Sequence, residues 1–530
     1  MPRHIRREEI QRYAREALTS VADEEVDAFH ELTEAMFEGF DRFEALPHPP
    51  KPWVPATRDA GRGALPEEDP CNAIVRWISV KATDPAAAEG VLAGRRVALK
   101  DMIAIGGMPM TFGSHVLRGY TADEDAAITR HVLEAGAEIV AITNMEAFAF
   151  SAGGEWSAYG PVLNPFDLGR TACGSSNGSA AALAYEDVDL AFGTDSGGSV
   201  RVPSSWCGMV GLKPTHGLVP YTGTISADWR FDHAGPMARD VPTVAAGMDA
   251  VVEGRTIDQV ERRIFEHSPG EFAAAVDGAP DGFDGLRLGV LVEGFAQEED
   301  PDAPAGTKET ATAVREAIDR FSALGAEIRE VSVPAHLTGA DIMFTALAET
   351  ASSALRGAPS AYAWLDTASD HFAAGLAAGM RAYGDELPET FKLIAILGTH
   401  MRETYLGAYG ARAHAMAPGL RDAYDAALAE VDMLVMPTTT HYAHELAPDA
   451  DLVTRVLRGW GMLGNAGSFN LTGHPGLTIP AAEADGLPVG VQLIGRRFGD
   501  ARLLAAGRTY ERAYGWLPEG GPRVGGGRSG

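Results

Sequence analysis

Two runs of glycine and serine lie inside regular structure rather than between domains, and they constrain this chain more than any other feature. The first is Cys173-Gly174-Ser175-Ser176-Asn177-Gly178-Ser179, and the second is Gly193-Thr194-Asp195-Ser196-Gly197-Gly198-Ser199-Val200-Arg201. The first continues into a helical pattern at Ala180–Tyr185, and the strand pattern Leu190-Ala191-Phe192 leads into the second. A flexible linker would have neither flank. Small residues in such positions let backbone N–H groups approach a ligand closely, which is how an anion-binding nest is built. A P-loop phosphate cradle is excluded, because no lysine followed by serine or threonine stands at the required spacing.

Alternating strand and helix patterns surround both runs. Strands are predicted at Arg95–Lys100, Glu138–Thr143, from Leu286, from Glu327 and from Met433, with a hairpin from Gly476 turning at Asp485-Gly486. Helices are predicted from Asp123, near Ala311–Leu324, and through most of Asp341–Tyr424. This is an α/β pattern, expected to form a large mixed β-sheet flanked by helices. Before it, residues 5–46 are helical in pattern and end at a proline-rich stretch and an acidic linker, so 1–65 is read as an N-terminal helical domain with its linker. Residues 66–516 form the main domain, and 517–530 read as a flexible glycine-rich tail.

Composition excludes several classes. A net charge of −29 argues against nucleic-acid or anionic-membrane partners, which demand a basic face. No apolar run reaches the ~20 residues that span a bilayer, and the N-terminus does not read as a secretory signal. Three scattered cysteines make neither a disulfide framework nor a zinc cluster, so a cytoplasmic location is expected. Only six lysines occur: Lys51, Lys81, Lys100, Lys213, Lys308 and Lys392. Arginine cannot act as a base, so a lysine kept in so lysine-poor a chain is a candidate for proton chemistry.

Two other readings of the chemistry compete. Gly174-Ser175-Ser176-Asn177-Gly178 fits the G-x-S-x-G nucleophile elbow, with Ser176 as nucleophile and His474 available as base. That reading leaves the second run and Lys100 without a role. His441-x-x-His444 is a lone pair without a third ligand, so no metal and no cofactor are expected.

Both runs, with the continuation Pro203-Ser204-Ser205-Trp206-Cys207-Gly208 to Thr215, resemble the amidase signature family. Val97–Ile103, Asn144-Met145-Glu146-Ala147-Phe148 and Asn164-Pro165-Phe166-Asp167 fall in the family's order, and the likeness covers about 72–516. Cys173 and Asn177 depart from the family's usual glycines. The resemblance implies an amidase signature fold and an amide-hydrolysing enzyme working through an acyl-enzyme. In it Ser199 is the nucleophile, Ser175 the proton relay beside an unusual cis peptide, and Lys100 the buried, neutral base. It implies an oxyanion hole from the N–H groups of Ser196, Gly197, Gly198 and Ser199, and places the backbone of Ala149 against the leaving amide nitrogen. Asp195 and Arg201 are expected to anchor the loop.

Lys213–Gly223, Asp232–Met237 and Thr472–Pro475 resemble bacterial nitrile-pathway amidases, many of them enantioselective, which also carry an N-terminal helical domain. The stretch Phe391–Thr399 lacks the charged side chains that hold glutamine in the tRNA-dependent amidotransferases. A small, neutral aliphatic or aromatic amide is therefore the expected substrate, with glutamine or a urethane as the alternatives. The apolar positions Val21, Val26, Phe29, Leu32, Met36 and Phe37 set among acidic residues, together with the resemblance, point to a homodimer contact.

Overall fold

The structure is a computed structural model that describes residues 3–47, 51–257, 264–355, 369–518, 522 and 525–527. Most of the tail read as flexible, 517–530, lies outside the described residues. The chain divides into two compact units, Met1–Lys51 and Pro52–Gly530.

The first unit contains α1 (Ile10–Glu16) and α2 (Val26–Glu44). Acidic residues Asp23, Glu24 and Glu25 precede α2, where they suit the positive end of its dipole, and the Glu25 carboxylate accepts the N–H of Ala22 at 3.1 Å. Ile10, Ala14 and Val26 are buried, whereas Phe29, Leu32, Met36, Phe40 and Phe43 are exposed along one stripe of α2.

The second unit is built on a twelve-stranded mixed sheet. Its strands are β1 (Ala56–Arg62), β2 (Ile74–Ala82), β3 (Arg96–Lys100), β4 (Glu138–Thr143), β5 (Leu190–Asp195) and β6 (Val210–Lys213). They continue with β7 (His233–Ala238), β8 (Arg287–Leu291), β9 (Glu327–Val331), β10 (Met433–Pro437), β11 (Gly476–Ala484) and β12 (Leu487–Ile494). The spatial order is β1-β2-β4-β3-β5-β7-β6-β11-β12-β10-β8-β9. β3 lies between β4 and β5 and runs parallel to both, so its residues are covered on both faces. Asp485 and Gly486, both at positive φ, make the two-residue turn that joins β11 to β12.

Four features differ from the sequence reading, the first being β2, where no strand was predicted. β1 falls within the segment read as linker: it pairs antiparallel with β2, and the boundary between units lies at 51/52 instead of near 65. β6 and β7 carried no strand signal, because one is four residues long and the other holds Gly235 and Pro236. The strand read from Leu286 onward stops at Leu291, and Val292–Glu299 turns into a 3-10 helix. Among the described residues, no helix is long and apolar enough to cross a membrane.

Candidate active site

Lys100 ends β3 in the middle of the sheet and is 0% exposed. Its Nζ lies 2.8 Å from Ser175 Oγ and 2.8 Å from Thr194 Oγ1. The Thr194 hydroxyl donates to the Met102 sulfur at 3.2 Å, so its oxygen accepts from the lysine. A neutral amine with one hydrogen committed to Thr194 can turn its lone pair toward the Ser175 hydroxyl. Burial pushes Lys100 down to about 7, against Asp195, Glu146 and Asp232, whose negative charges favour the ammonium. Asp101 follows Lys100 in the chain but faces away, its carboxyl accepting from the Thr111 backbone at 3.0 Å.

The first glycine-serine run makes a tight loop that enters α3 (Asn177–Ala182) three residues earlier than the helical pattern begins in the sequence. The Gly174–Ser175 peptide is cis. Gly174 is required here: a Cβ would come within 2.6 Å of Glu146 Cγ. Ser175 is fully buried, and its carbonyl accepts the Glu146 N–H at 3.2 Å. The Ser176 hydroxyl is committed elsewhere, donating to the Thr194 carbonyl at 3.1 Å and accepting the Thr194 N–H at 3.3 Å. His474, the base an elbow mechanism would use, bonds instead to Thr472 at 2.9 Å and Asp425 at 3.0 Å.

The second run leaves β5, turns, and enters α4 (Arg201–Trp206). Asp195 organises the turn, accepting from the N–H groups of Gly198 at 2.7 Å and Val200 at 3.2 Å. Arg201 grips it with two N–H groups, Nε at 3.0 Å and Nη2 at 2.9 Å. Asn470 and Gln492 take up the rest of the guanidinium at 2.7 and 2.8 Å. Burial alone would raise the Asp195 carboxyl, but Arg201 and these bonds hold it far below the usual carboxylate range. Asp195 and Arg201 are thus loop anchors. The Gly198 N–H is engaged by Asp195, which removes it from the four amides expected to face an oxyanion and leaves those of Ser196, Gly197 and Ser199.

Ser199, Ser196 and Gly197 open on a pocket of about 690 Å3, counting its mouth. Ser199 is 8% exposed, and its carbonyl accepts the Ser176 N–H at 3.3 Å, which ties the two loops together. Ser175 and Lys100 stand behind this wall and do not line it. Ala149 does line it, held at φ 56° beside Phe148 at φ 58°, and its N–H is taken by the Glu146 carbonyl at 3.0 Å. The rest of the wall is Met102, Phe112, Phe148, Phe150, Met343, Leu347, Trp460 and Leu463, with Ser151, Ser226 and Ala227; no charged side chain contributes among the described residues. Phe148 stacks on Phe391 at 4.4 Å between centroids and meets Phe112 at 4.8 Å. Thr194 and Met102 lie within the sequence motifs, but nothing in those motifs marks them as neighbours of the base. The wall from Met343 to Leu463 carried no sequence signal, because it comes from segments far from both runs. Among the described residues, no group of three or more His, Cys, Asp or Glu side chains is placed to hold a metal ion.

The sequence profile of the amidase family matches residues 73–504. The chain belongs to the amidase signature family. The enzyme is 37% identical to an enantioselective amidase of Rhodococcus rhodochrous over 464 residues, covering 85% of each chain. It is 34% identical to a subunit of the glutamyl-tRNA(Gln) amidotransferase of Methanosarcina mazei, over 82% of this chain and 87% of that one. Among solved structures it is similar to the native peptide amidase of Stenotrophomonas maltophilia, with a TM-score of 0.68, 26% identity, and 87% and 92% of the two chains covered. The enzyme is accordingly a hydrolase of carbon–nitrogen amide bonds.

Proposed function

We propose that this enzyme cleaves small, neutral carboxamides with an apolar aliphatic or aromatic acyl group to the acid and ammonia, through a Ser199–Ser175–Lys100 relay. The observation that carries the reading is the pairing of a buried amine 2.8 Å from Ser175 Oγ with a pocket whose wall includes Ser199 and no charged side chain among the described residues. Ser199 Oγ attacks the carbonyl carbon as its proton passes to Ser175, whose own proton passes to Lys100. The N–H groups of Ser196, Gly197 and Ser199 stabilise the oxyanion. The proton returns along the relay to the departing amine while the carbonyl of Ala149 borders that nitrogen. Water then repeats the sequence on the acyl-enzyme and releases the acid. No cofactor takes part.

The acyl group would rest against Phe112, Phe148, Phe150 and Trp460, where burying one aromatic ring is worth about 1.5–3 kcal/mol. The α-carboxylate of glutamine would enter the same space without a cation among the described residues to meet it, and an unpaired buried charge is strongly disfavoured. The enzyme thus parallels the enantioselective amidase relative rather than the amidotransferase relative.

A hydrolysis screen over acetamide, propionamide, benzamide, phenylacetamide, glutamine and a urethane tests this. Phenylacetamide or benzamide should lead in kcat/KM; preference for glutamine or the urethane would overturn the substrate assignment.

The exposed stripe Phe29, Leu32, Met36, Phe40 and Phe43 suits a homodimer contact. Cys71, Cys173 and Cys207 are all buried free thiols, as suits a reducing cytoplasm.

A further inference from the structure

We propose that Asp232 is a positioning residue for catalysis: its carboxylate clamps the oxyanion loop at Ser196 to the pocket wall at Ser226–Asp228. The inference rests on the Ser199–Ser175–Lys100 reading.

Asp232 immediately precedes β7, which pairs antiparallel with β5 so that His233 stands opposite Asp195. That register sets Asp232 beside Ser196. The side chain is buried and accepts from four donors. Oδ1 takes the Ser196 hydroxyl. Oδ2 takes the Ser226 hydroxyl at 2.7 Å, the Ala227 N–H at 2.7 Å and the Asp228 N–H at 3.0 Å. Ser196, Ser226 and Ala227 all line the pocket, so one buried carboxylate fixes two separate walls against each other. No Lys or Arg shares hydrogen bonds with it among the described residues; the nearby Asp228 is matched by Arg230 at 2.8 Å and His414 at 3.4 Å.

A carboxylate with four donors and no paired cation is an unusual thing to bury unless its position matters. Moving Ser196 moves a backbone N–H aimed at the oxyanion, and small displacements of such donors are costly in rate. Three carboxylates favour the Lys100 ammonium: Asp195, Glu146 and Asp232. Asp195 is already neutralised by Arg201, and Glu146 is bonded to Ser151 and the Trp156 N–H. Burial pushes Asp232 up to about 7, against its four donors.

The test compares Asp232→Asn with the parent, Ser196→Ala and Ser199→Ala on one neutral amide across pH, with rates expressed per site by fluorophosphonate titration, or per mole of folded protein for Ser199→Ala. Asp232→Asn should lower kcat about tenfold or more while KM moves less than about threefold. Its acid limb should also shift acidward by about half a pH unit, because the charge favouring the ammonium is gone. A merely structural residue would reduce the number of active sites without moving that limb. An unmoved limb with parent-like kcat, or a raised KM with kcat intact, overturns the proposal. If Asp232→Asn does not fold, Ser196→Ala decides: a severalfold loss in kcat at constant KM supports the clamp, and parent-like kcat overturns it. Activity retained by Ser199→Ala would instead overturn the catalytic reading beneath it.

Discussion

Thr194 Oγ1 stands 2.8 Å from Lys100 Nζ and gives its own proton to the Met102 sulfur, which fixes the direction in which the amine can offer its lone pair. Ser175 is the other hydroxyl within reach of that nitrogen, also at 2.8 Å. Thr194→Val keeps the shape and deletes the acceptor, leaving one lysine hydrogen unmatched in a dry site. The loss should be about 1–3 kcal/mol of transition-state stabilisation, roughly five- to 150-fold in kcat/KM, with little change in melting temperature. Parent-like kinetics would show that Thr194 does not orient the base.

The relay itself predicts an ordered set of losses. Ser199→Ala should abolish amide hydrolysis, and Ser175→Ala and Lys100→Ala should each lower kcat by about a thousandfold or more. Ser176→Ala should be mild in comparison, because its hydroxyl serves the Thr194 backbone. If Ser176→Ala were inactive through loss of the chemical step while Ser199→Ala worked normally, the nucleophile would have to be reassigned.

The Asp195–Arg201 pair is wholly buried, so breaking it from one side strands a charge. Arg201→Met should destabilise the fold by about 3–5 kcal/mol in denaturant unfolding and disorder the loop that carries Ser199. Activity would fall with the folded fraction and further still within it. A stability loss under about 1 kcal/mol would mean that Asn470 and the backbone amides hold Asp195 by themselves.

The juxtaposition of Lys100 and Ser175 was legible in the sequence because the candidate site depends on short, contiguous runs. Lys100, Ser175 and Ser199 need particular neighbours, namely an apolar strand for the lysine and glycines for the two loops, and those neighbours are adjacent in the chain. The pocket wall was not legible, since Met343, Leu347, Trp460 and Leu463 look like ordinary core residues until the fold gathers them. The engagement of the Gly198 N–H by Asp195 was also invisible, because glycine spacing does not say which way an amide points. In the sheet, most apolar strands were readable, although the nine-residue β2 was missed. The mostly exposed β1 and the proline-containing β7 were not, because both owe their conformation to pairing with neighbours rather than to their own residues.

The N-terminal helices are expected to act outside the chemical step. Leu32 and Met36 are 61% and 71% exposed on α2, a large apolar area to leave in water. Leu32→Glu combined with Met36→Glu should halve the mass measured by light scattering while kcat per site stays within about twofold. An unchanged mass for the well-folded double variant would reject α2 as a dimer contact.

The pH profile bears most directly on the base. Lys100 must be neutral to accept a proton, and an unperturbed lysine, near 10.4, would be almost wholly charged at neutrality. Burial brings it down to about 7, so below that value the ammonium blocks the relay and above it the amine is free. kcat/KM should therefore climb from acid to a plateau on the alkaline side, with a midpoint near 7. The limb alone does not name its owner, because burial also pushes Glu146 and Asp232 up to about 7. Histidines are poorer candidates: burial drives His216 and His441 down to about 4 and His444 to about 3. Substitution separates them. Lys100→Ala should lose the limb along with most of the rate, and Lys100→Arg should recover nothing, because a guanidinium cannot accept the proton. A Lys100→Ala enzyme that kept the same limb at reduced height would assign the ionisation, and with it the base, to another residue.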